Sequence, residues 1–186
     1  MSIPQRVIVI HGYGADPDSH WFPWLTDQLG PENVTIPPMP DPSNPDAATW
    51  VEIATKAIAD ADENTVIIGH SLGGITALRG IAAQSPAFHV AGIIIVAGFA
   101  EHLPGYAALD PFTSDRLDIE ALRSVSPNRS VFVADIDPVL DTAIVERLAT
   151  RLGANLIEVA GAGHFQADDG ITALPEILNV IREIPG

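Results

Sequence analysis

The sequence contains no cysteine among its 186 residues. Structural disulfides and thiolate metal sites are therefore excluded, and the composition is compatible with the cytoplasmic location that we expect. Basic residues are also scarce, with nine Lys and Arg against 24 Asp and Glu and a formal net charge of -15. Because such a charge repels phosphate backbones and anionic lipid surfaces, we expect neither a nucleic-acid partner nor a membrane partner.

Long hydrophobic runs are absent as well. The longest, residues 90–100, is about half the roughly 20 residues that span a bilayer, so it predicts a buried strand. The first apolar run begins near residue 6. We therefore expect no signal peptide, because a charged segment, an apolar core and a cleavage site do not fit before that run.

Six short apolar runs, separated by segments with helical periodicity, dominate the rest of the chain. They cover residues 7–10, 34–36, 66–68, 90–96, 130–134 and 156–159. Strands that alternate with helices predict the α/β class, here a compact three-layer sandwich around a doubly wound parallel sheet of about six strands. With no internal repeat or linker, residues 1–186 are predicted to form one domain.

One strand-to-helix turn has the pattern of a nucleophile elbow. The apolar run 66–68 is followed by G-H-S-L-G at residues 69–73 and then by a helical pattern. In such a turn the serine hydroxyl is exposed at the tip of a sharp, strained bend above the sheet. Gly69 and Gly73 stand where a Cβ would collide, although such glycines also suit an ordinary turn. The context predicts that Ser71 is a nucleophile.

Residues able to assist Ser71 follow two later predicted strands. Asp135 and Asp137 come after the fifth run, and His164 lies in a Gly-rich turn after the sixth. The carboxyl ends of parallel strands meet at one edge of a sheet. A serine hydroxyl needs a base to take its proton and a third group to hold that base. The order Ser, Asp, His along the chain is the one used on α/β-hydrolase sheets, and it predicts a catalytic triad.

His164 is favoured as the base because, of six histidines, it alone follows the final strand in a Gly-rich turn. Asp137 is favoured as the orienting acid, since it precedes a proline, is pushed to extended backbone and can lean toward the histidine loop. Asp135 stays as the alternative acid and could instead cap the end of the strand or brace that loop. Asp168 and Asp169 are interpreted as caps of the closing helix.

The proposed chemistry also requires donors for the oxyanion that forms on the substrate carbonyl. In this fold one donor is the backbone N–H after the nucleophile, here Leu72, and the other comes from the loop after the first strand. Tyr13, which follows His11 and Gly12, is the predicted second donor. This chemistry uses no cofactor and no metal, and we predict neither.

Together, residues 7–12, 20–25, 69–74, 137–138 and 163–165 resemble the small serine hydrolases related to retinoblastoma-binding protein 9. The H-W-F-P-W-L segment at 20–25 is more diagnostic than the serine elbow, which many α/β hydrolases share. The resemblance extends over nearly the whole chain.

This resemblance implies a compact α/β-hydrolase fold without the first two strands of the full version, with Ser71, Asp137 and His164 as the triad. We accordingly expect a carboxylesterase-like serine hydrolase that cleaves a small ester or amide through an acyl-enzyme on Ser71. A thioesterase and a cofactor-free perhydrolase are alternative enzymes. The relative's name also leaves open a protein partner and, as a different class, a protein-binding module on a hydrolase scaffold.

Residues 98–128 form the longest interval without a predicted strand. Long loops in compact domains are often functional, and this one could form a minimal cap over the site. The alternative is a plain connection between a strand and a helix.

Overall fold

The computed structural model describes residues 6–185, so residues 1–5 and 186 of the predicted domain, and with them the expectation about a signal peptide, lie outside the described residues. Six strands form one parallel sheet in the order β2-β1-β3-β4-β5-β6. They are β1 (Arg6–Ile10), β2 (Val34–Thr35), β3 (Thr65–His70), β4 (Gly92–Val96), β5 (Arg129–Ala134) and β6 (Asn155–Val159). Every predicted strand is confirmed.

Helices connect the strands. They are α1 (Phe22–Leu29), α2 (Ala47–Ala57), α3 (Leu72–Ala82), α4 (Asp110–Thr113), α5 (Ile119–Val125), α6 (Thr142–Leu152) and α7 (Pro175–Glu183), with 3-10 turns at Ala107–Leu109 and Ala167–Asp169. Local chemistry sets several boundaries: Asp46 accepts from the Thr49 N–H to cap α2, and Gly153 ends α6 in the left-handed conformation. Across residues 6–185, no helix is long and apolar enough to cross a membrane.

The sheet is buried on both faces. Because successive side chains of a strand point to opposite faces, Ile8 and Ile10 join one hydrophobic core while Val7 and Val9 join the other. The first core includes residues of α2, α3, α5 and α6, and the second includes residues of α1 and α7. This arrangement explains why the strands read as continuous apolar runs.

The direction of winding reverses at β1. The chain runs from β1 to β2 on one side and then returns to β3 on the other. Ile10 pairs with Gly69, so the carboxyl ends of β1 and β3 are level. The loops after these two strands therefore meet at the crevice where open α/β sheets bind ligands.

The prediction that Asp168 and Asp169 cap the closing helix is wrong. Helix α7 begins at Pro175 after Leu174, and both aspartates lie in the preceding 3-10 turn. The Asp169 carboxylate instead accepts hydrogen bonds from the main-chain N–H groups of His164 at 2.7 Å and Gln166 at 3.2 Å. Five residues separate Asp169 from the helix start, too far for a cap, whereas the His164 turn folds directly over it.

Candidate active site

Ser71 occupies a strained turn between β3 and α3. Its backbone has φ 54° and ψ -122°, a left-handed φ that is uncommon for residues other than glycine. A Cβ at Gly69 would lie 2.6 Å from the carbonyl oxygen of Gly73, and a Cβ at Gly73 would overlap that of Ile10. The glycines thus permit the close approach of strand and helix that presents Ser71 above the sheet.

A continuous hydrogen-bonded chain joins the three residues predicted to form the triad. The Ser71 Oγ lies 2.8 Å from Nε2 of His164, and Nδ1 of His164 lies 2.7 Å from Oδ2 of Asp137. Because an ionised carboxylate can only accept, Nδ1 carries the proton and Nε2 is free to accept from the serine hydroxyl. Both the His164 and Asp137 side chains are 2% exposed.

The two candidate acids have different partners. The second carboxylate oxygen of Asp137 accepts from the N–H groups of Val139 at 2.8 Å and Leu140 at 3.0 Å. Asp135 is exposed and accepts from the Gly161 N–H at 2.7 Å, a bond that lowers the pKa of its carboxyl. Asp137 therefore reaches His164, while Asp135 braces the loop that leads to it.

His70, to which the sequence analysis assigned no role, also holds His164. It is buried at the end of β3, and its Nε2 lies 2.9 Å from the main-chain oxygen of His164. Since a carbonyl oxygen only accepts, Nε2 must carry the proton. Its Nδ1 has no hydrogen-bond partner within the described part of the chain. A polar residue ending an otherwise apolar buried strand was the one available signal.

Burial keeps several histidines near the site neutral. Desolvation lowers the pKa of His70 well below its usual value, and the neighbouring His164 acts in the same direction. Desolvation also lowers the pKa of His20, whose ring centroid lies 5.3 Å from that of His70 and whose Nδ1 accepts from the Ala167 N–H. These rings pack as neutral supports beneath the triad loop.

His11 supports the turn after β1 in a similar way. Its Nε2 accepts from the Met39 N–H at 3.1 Å, so its proton is on Nδ1, which donates to the Gly12 carbonyl. Burial lowers its pKa. A Cβ at Gly12 would lie 3.0 Å from that of Ser71, so this turn passes directly beside Ser71.

The two predicted oxyanion donors belong to the two segments that meet beside Ser71, which are the turn after β1 and the start of α3. Leu72 is the first residue of α3, where a main-chain N–H has no acceptor within the helix. Tyr13 follows Gly12, and its hydroxyl donates to the Ser43 carbonyl at 2.5 Å. Both residues line one cavity with Ser71 and His164. Their position fits the role, which remains a prediction.

The cavity above Ser71 has a volume of ≈ 430 Å³. Part of its wall comes from residues 98–128, namely Phe99, Leu103, Gly105, Tyr106, Ala107, Ala108 and Leu109. Arg79 of α3 attaches this segment by donating to the carbonyl oxygens of Phe112 at 2.5 Å and Asp115 at 2.7 Å. No cluster of three or more metal-binding side chains occurs between residues 6 and 185.

A parallel sheet wound in this order, with a serine elbow after β3 and an acid and a histidine after β5 and β6, defines the α/β-hydrolase fold. The chain matches the family model described as serine hydrolase over residues 7–183 and belongs to that family. The family and fold predicted from the sequence are thus confirmed, and the protein is a hydrolase.

Relatives cover almost the full chain. This chain is 34% identical to the Bacillus subtilis protein YdeN over 179 residues, and the match covers 95% of this chain and 94% of YdeN. The crystal structure of the ydeN gene product superposes with a TM-score of 0.89 and covers 95% of this chain and 96% of that one. Rat serine hydrolase RBBP9 is 26% identical over 190 residues, covering 99% and 97% of the two chains.

Proposed function

We propose that this hydrolase cleaves a small ester or amide through an acyl-enzyme formed on Ser71. The observation that carries the proposal is the hydrogen-bonded chain from Ser71 Oγ through His164 to Asp137, with distances of 2.8 and 2.7 Å. An isolated serine hydroxyl reacts slowly near neutral pH, and an adjacent base held by a third group is the arrangement that activates it.

In the first half-reaction, Ser71 Oγ bonds to the substrate carbonyl carbon while His164 Nε2 takes the hydroxyl proton. His164 then returns that proton to the leaving alcohol or amine as the bond to the acyl carbon breaks. In the second half-reaction, His164 removes a proton from water, the resulting hydroxide attacks the acyl carbon, and Ser71 leaves with that proton. Asp137 stabilises the imidazolium formed in both halves.

The main-chain N–H groups of Leu72 and Tyr13 are the proposed donors to the negatively charged carbonyl oxygen. Their support is the position of both residues in the wall that also contains Ser71. Each donor of this kind contributes on the order of 10² to 10³ in rate.

We further propose that residues 1–186 act as one hydrolase domain in which residues 98–128 serve as a minimal cap. Two observations favour the cap over a plain connection. The segment supplies seven of the residues around the cavity, and buried Phe112 packs edge-on against Trp50 of α2 with ring centroids 6.1 Å apart. This contact attaches the proposed cap to α2.

A fluorophosphonate probe, which reacts only with activated serines, tests the proposal directly. Wild-type protein should be labelled stoichiometrically, and Ser71→Ala should not be labelled. Ser124→Ala, which removes an exposed hydroxyl on α5 that bonds only to the Ala121 carbonyl, is the matched control and should label normally. Absence of labelling in folded wild type, or equal labelling of Ser71→Ala, would refute the proposal.

The other functions that the sequence suggested would use the same fold, but they differ in the catalytic residues and substrates that they need. A protein-binding module would not need the aligned chain of Ser71, His164 and Asp137, so the geometry favours an enzyme. Thioester hydrolysis and perhydrolysis use the same acyl-enzyme and differ in the acyl donor and in the final acceptor. A substrate panel on unlabelled enzyme, with rates normalised to the fraction that the probe labels in a separate sample, separates them.

A further inference from the structure

The cavity above Ser71 is apolar and uncharged. Its wall includes the side chains of Phe99, Leu103, Leu109, Val139 and Leu140. No Lys, Arg, Asp or Glu lines it, and besides the two tyrosines its polar side chains are those of Ser71, His164 and Gln166. Such a wall offers burial to hydrocarbon and no partner to a charge.

Exposed apolar side chains gather at the opening of this cavity. Tyr13, Tyr106 and Val139 line it and are 49%, 42% and 36% exposed. Within residues 6–185 only two other large apolar side chains, Ile136 and Leu156 on edge strand β6, are comparably exposed. Single exposed apolar residues are ordinary, but their concentration around a reactive serine marks a binding surface.

The charged side chains near the opening do not form a binding site for an anionic acyl carrier. Arg147, in a neighbouring groove, is paired with Glu101 at 2.6 and 3.2 Å. Arg79 faces the cap from below and is bound to main-chain carbonyl groups. With a net charge of -15, the protein repels phosphate groups such as those of coenzyme A.

We propose, resting on the acyl-enzyme function above, that the site selects uncharged carboxylic esters that are apolar on both sides of the ester bond. The acyl group stays bonded to Ser71 while the leaving group departs, so the enclosed cavity is assigned to the acyl chain. The exposed rim of Tyr13, Tyr106 and Val139 then contacts the apolar leaving group. At about 30 Å³ per non-hydrogen atom, the cavity holds about fourteen such atoms.

Two substrate comparisons test this selectivity. Along p-nitrophenyl acetate, butyrate and hexanoate, kcat/KM should rise by about fourfold per added methylene, the gain from burying that group, and it should fall for palmitate, whose acyl group of about seventeen non-hydrogen atoms exceeds the cavity. The butyryl thioester of neutral N-acetylcysteamine should react at least about tenfold better than butyryl-coenzyme A, because only the second carries phosphates.

Rim variants test the surface without disturbing the core. Val139→Ser and Tyr106→Ser should each lower kcat/KM for p-nitrophenyl hexanoate by about fivefold through loss of apolar contact. Leu156→Ser, a matched exposed residue on β6, should leave it unchanged. All rates are normalised to the fraction of protein labelled by fluorophosphonate.

The outcomes separate this inference from the function on which it rests. Normal labelling of Ser71 with a flat acyl-chain profile, with equal or better use of butyryl-coenzyme A, or with rim variants that behave like Leu156→Ser, overturns the selectivity and leaves the hydrolase mechanism standing. Failure of Ser71 to label overturns the mechanism itself.

Discussion

The Nε2 of His70 lies 2.9 Å from the main-chain oxygen of His164. This contact links the residue that precedes Ser71 to the candidate base. The same His164 residue has its N–H bound by Asp169 at 2.7 Å. Both main-chain polar groups of the candidate base are therefore held, one by a side chain of β3 and the other by a side chain of its own loop. This double anchorage fixes the backbone from which the imidazole extends toward Ser71.

Replacing His70 should weaken catalysis through the position of His164. In His70→Phe the His164 carbonyl loses its buried donor, which costs about 1–3 kcal/mol of stability, and the misaligned imidazole should lower kcat by about ten- to a hundredfold. KM should change little because His70 does not line the cavity. His70→Gln, whose amide can still donate, should recover most of kcat. Wild-type kcat in His70→Phe would contradict this role.

Loss of either Ser71 or His164 should abolish the acyl-enzyme route. Ser71→Ala and His164→Ala should each lower kcat by on the order of 10⁵ to 10⁶, and the double variant should be no worse than either single one, because the two residues act as one unit. Steady-state kinetics on a p-nitrophenyl ester measure this. Additive losses in the double variant would show that the residues act independently.

The two aspartates after β5 should differ sharply in effect. Asp137→Asn removes the charge next to His164 Nδ1 and favours the wrong tautomer, which should lower kcat by about 10⁴. Asp135→Asn keeps an oxygen that can accept from the Gly161 N–H, so its loss should stay below about tenfold. A larger effect at Asp135 would reassign the third triad member.

Stability should decline in mildly acidic solution because burial lowers the pKa of His70 from its unfolded value of 6.5. As the pH falls below 6.5, the unfolded chain binds a proton at this position while the folded protein does not until its own lower pKa is reached. The free energy of unfolding should therefore fall by up to about 1.4 kcal/mol per pH unit from this group, and the full stability is present above 6.5.

Urea unfolding of wild type and His70→Gln between pH 7.5 and 5 measures that contribution. Because the variant cannot take up this proton, the slope of its free energy of unfolding against pH should be smaller than that of wild type. The difference should correspond to at most one bound proton. Equal slopes in the two proteins would show that His70 is not the group responsible.

Arg79 should control the attachment of residues 98–128. Arg79→Met removes two hydrogen bonds from a charged donor, each worth about 1.5–3 kcal/mol, and should expose the segment to proteolysis and reduce ester turnover. Lys56→Met removes an exposed pair with Glu52 on α2 and should change neither property, since water screens such surface pairs and they contribute little to stability. Equal proteolysis rates in both variants would contradict this attachment.

Much of this fold could be read from local sequence because local physics determines it. Unbroken apolar runs mark strands that are buried on both faces, Asp46 and Gly153 are helix caps of the expected kinds, and all six predicted strands occur. The elbow at Ser71 is equally local, since its strained φ and the glycines around it follow from steric contact within a few residues.

Sequence patterns do not predict contacts between segments that are far apart along the chain. The contact of His70 arises where the His164 turn folds over the end of β3, and no spacing along the chain encodes it. Asp169 lies only five residues from His164, and the prediction that it caps the closing helix is wrong because that helix begins later and the carboxylate turns back to the His164 N–H. A side chain in a loop points wherever its non-local partners hold it, so its sequence neighbours alone do not reveal its role.

By itself, then, the sequence determined the strand and helix pattern, the position of Ser71 in the turn between β3 and α3, and the presence of an acid and a histidine after later strands. Only the tertiary structure decided that Asp137, and not Asp135, reaches His164, and that residues 98–128 supply part of the wall of an uncharged apolar cavity above the serine. The physical reason is that backbone sterics act over a few residues, whereas hydrogen bonds and cavity walls join residues brought together from distant parts of the chain.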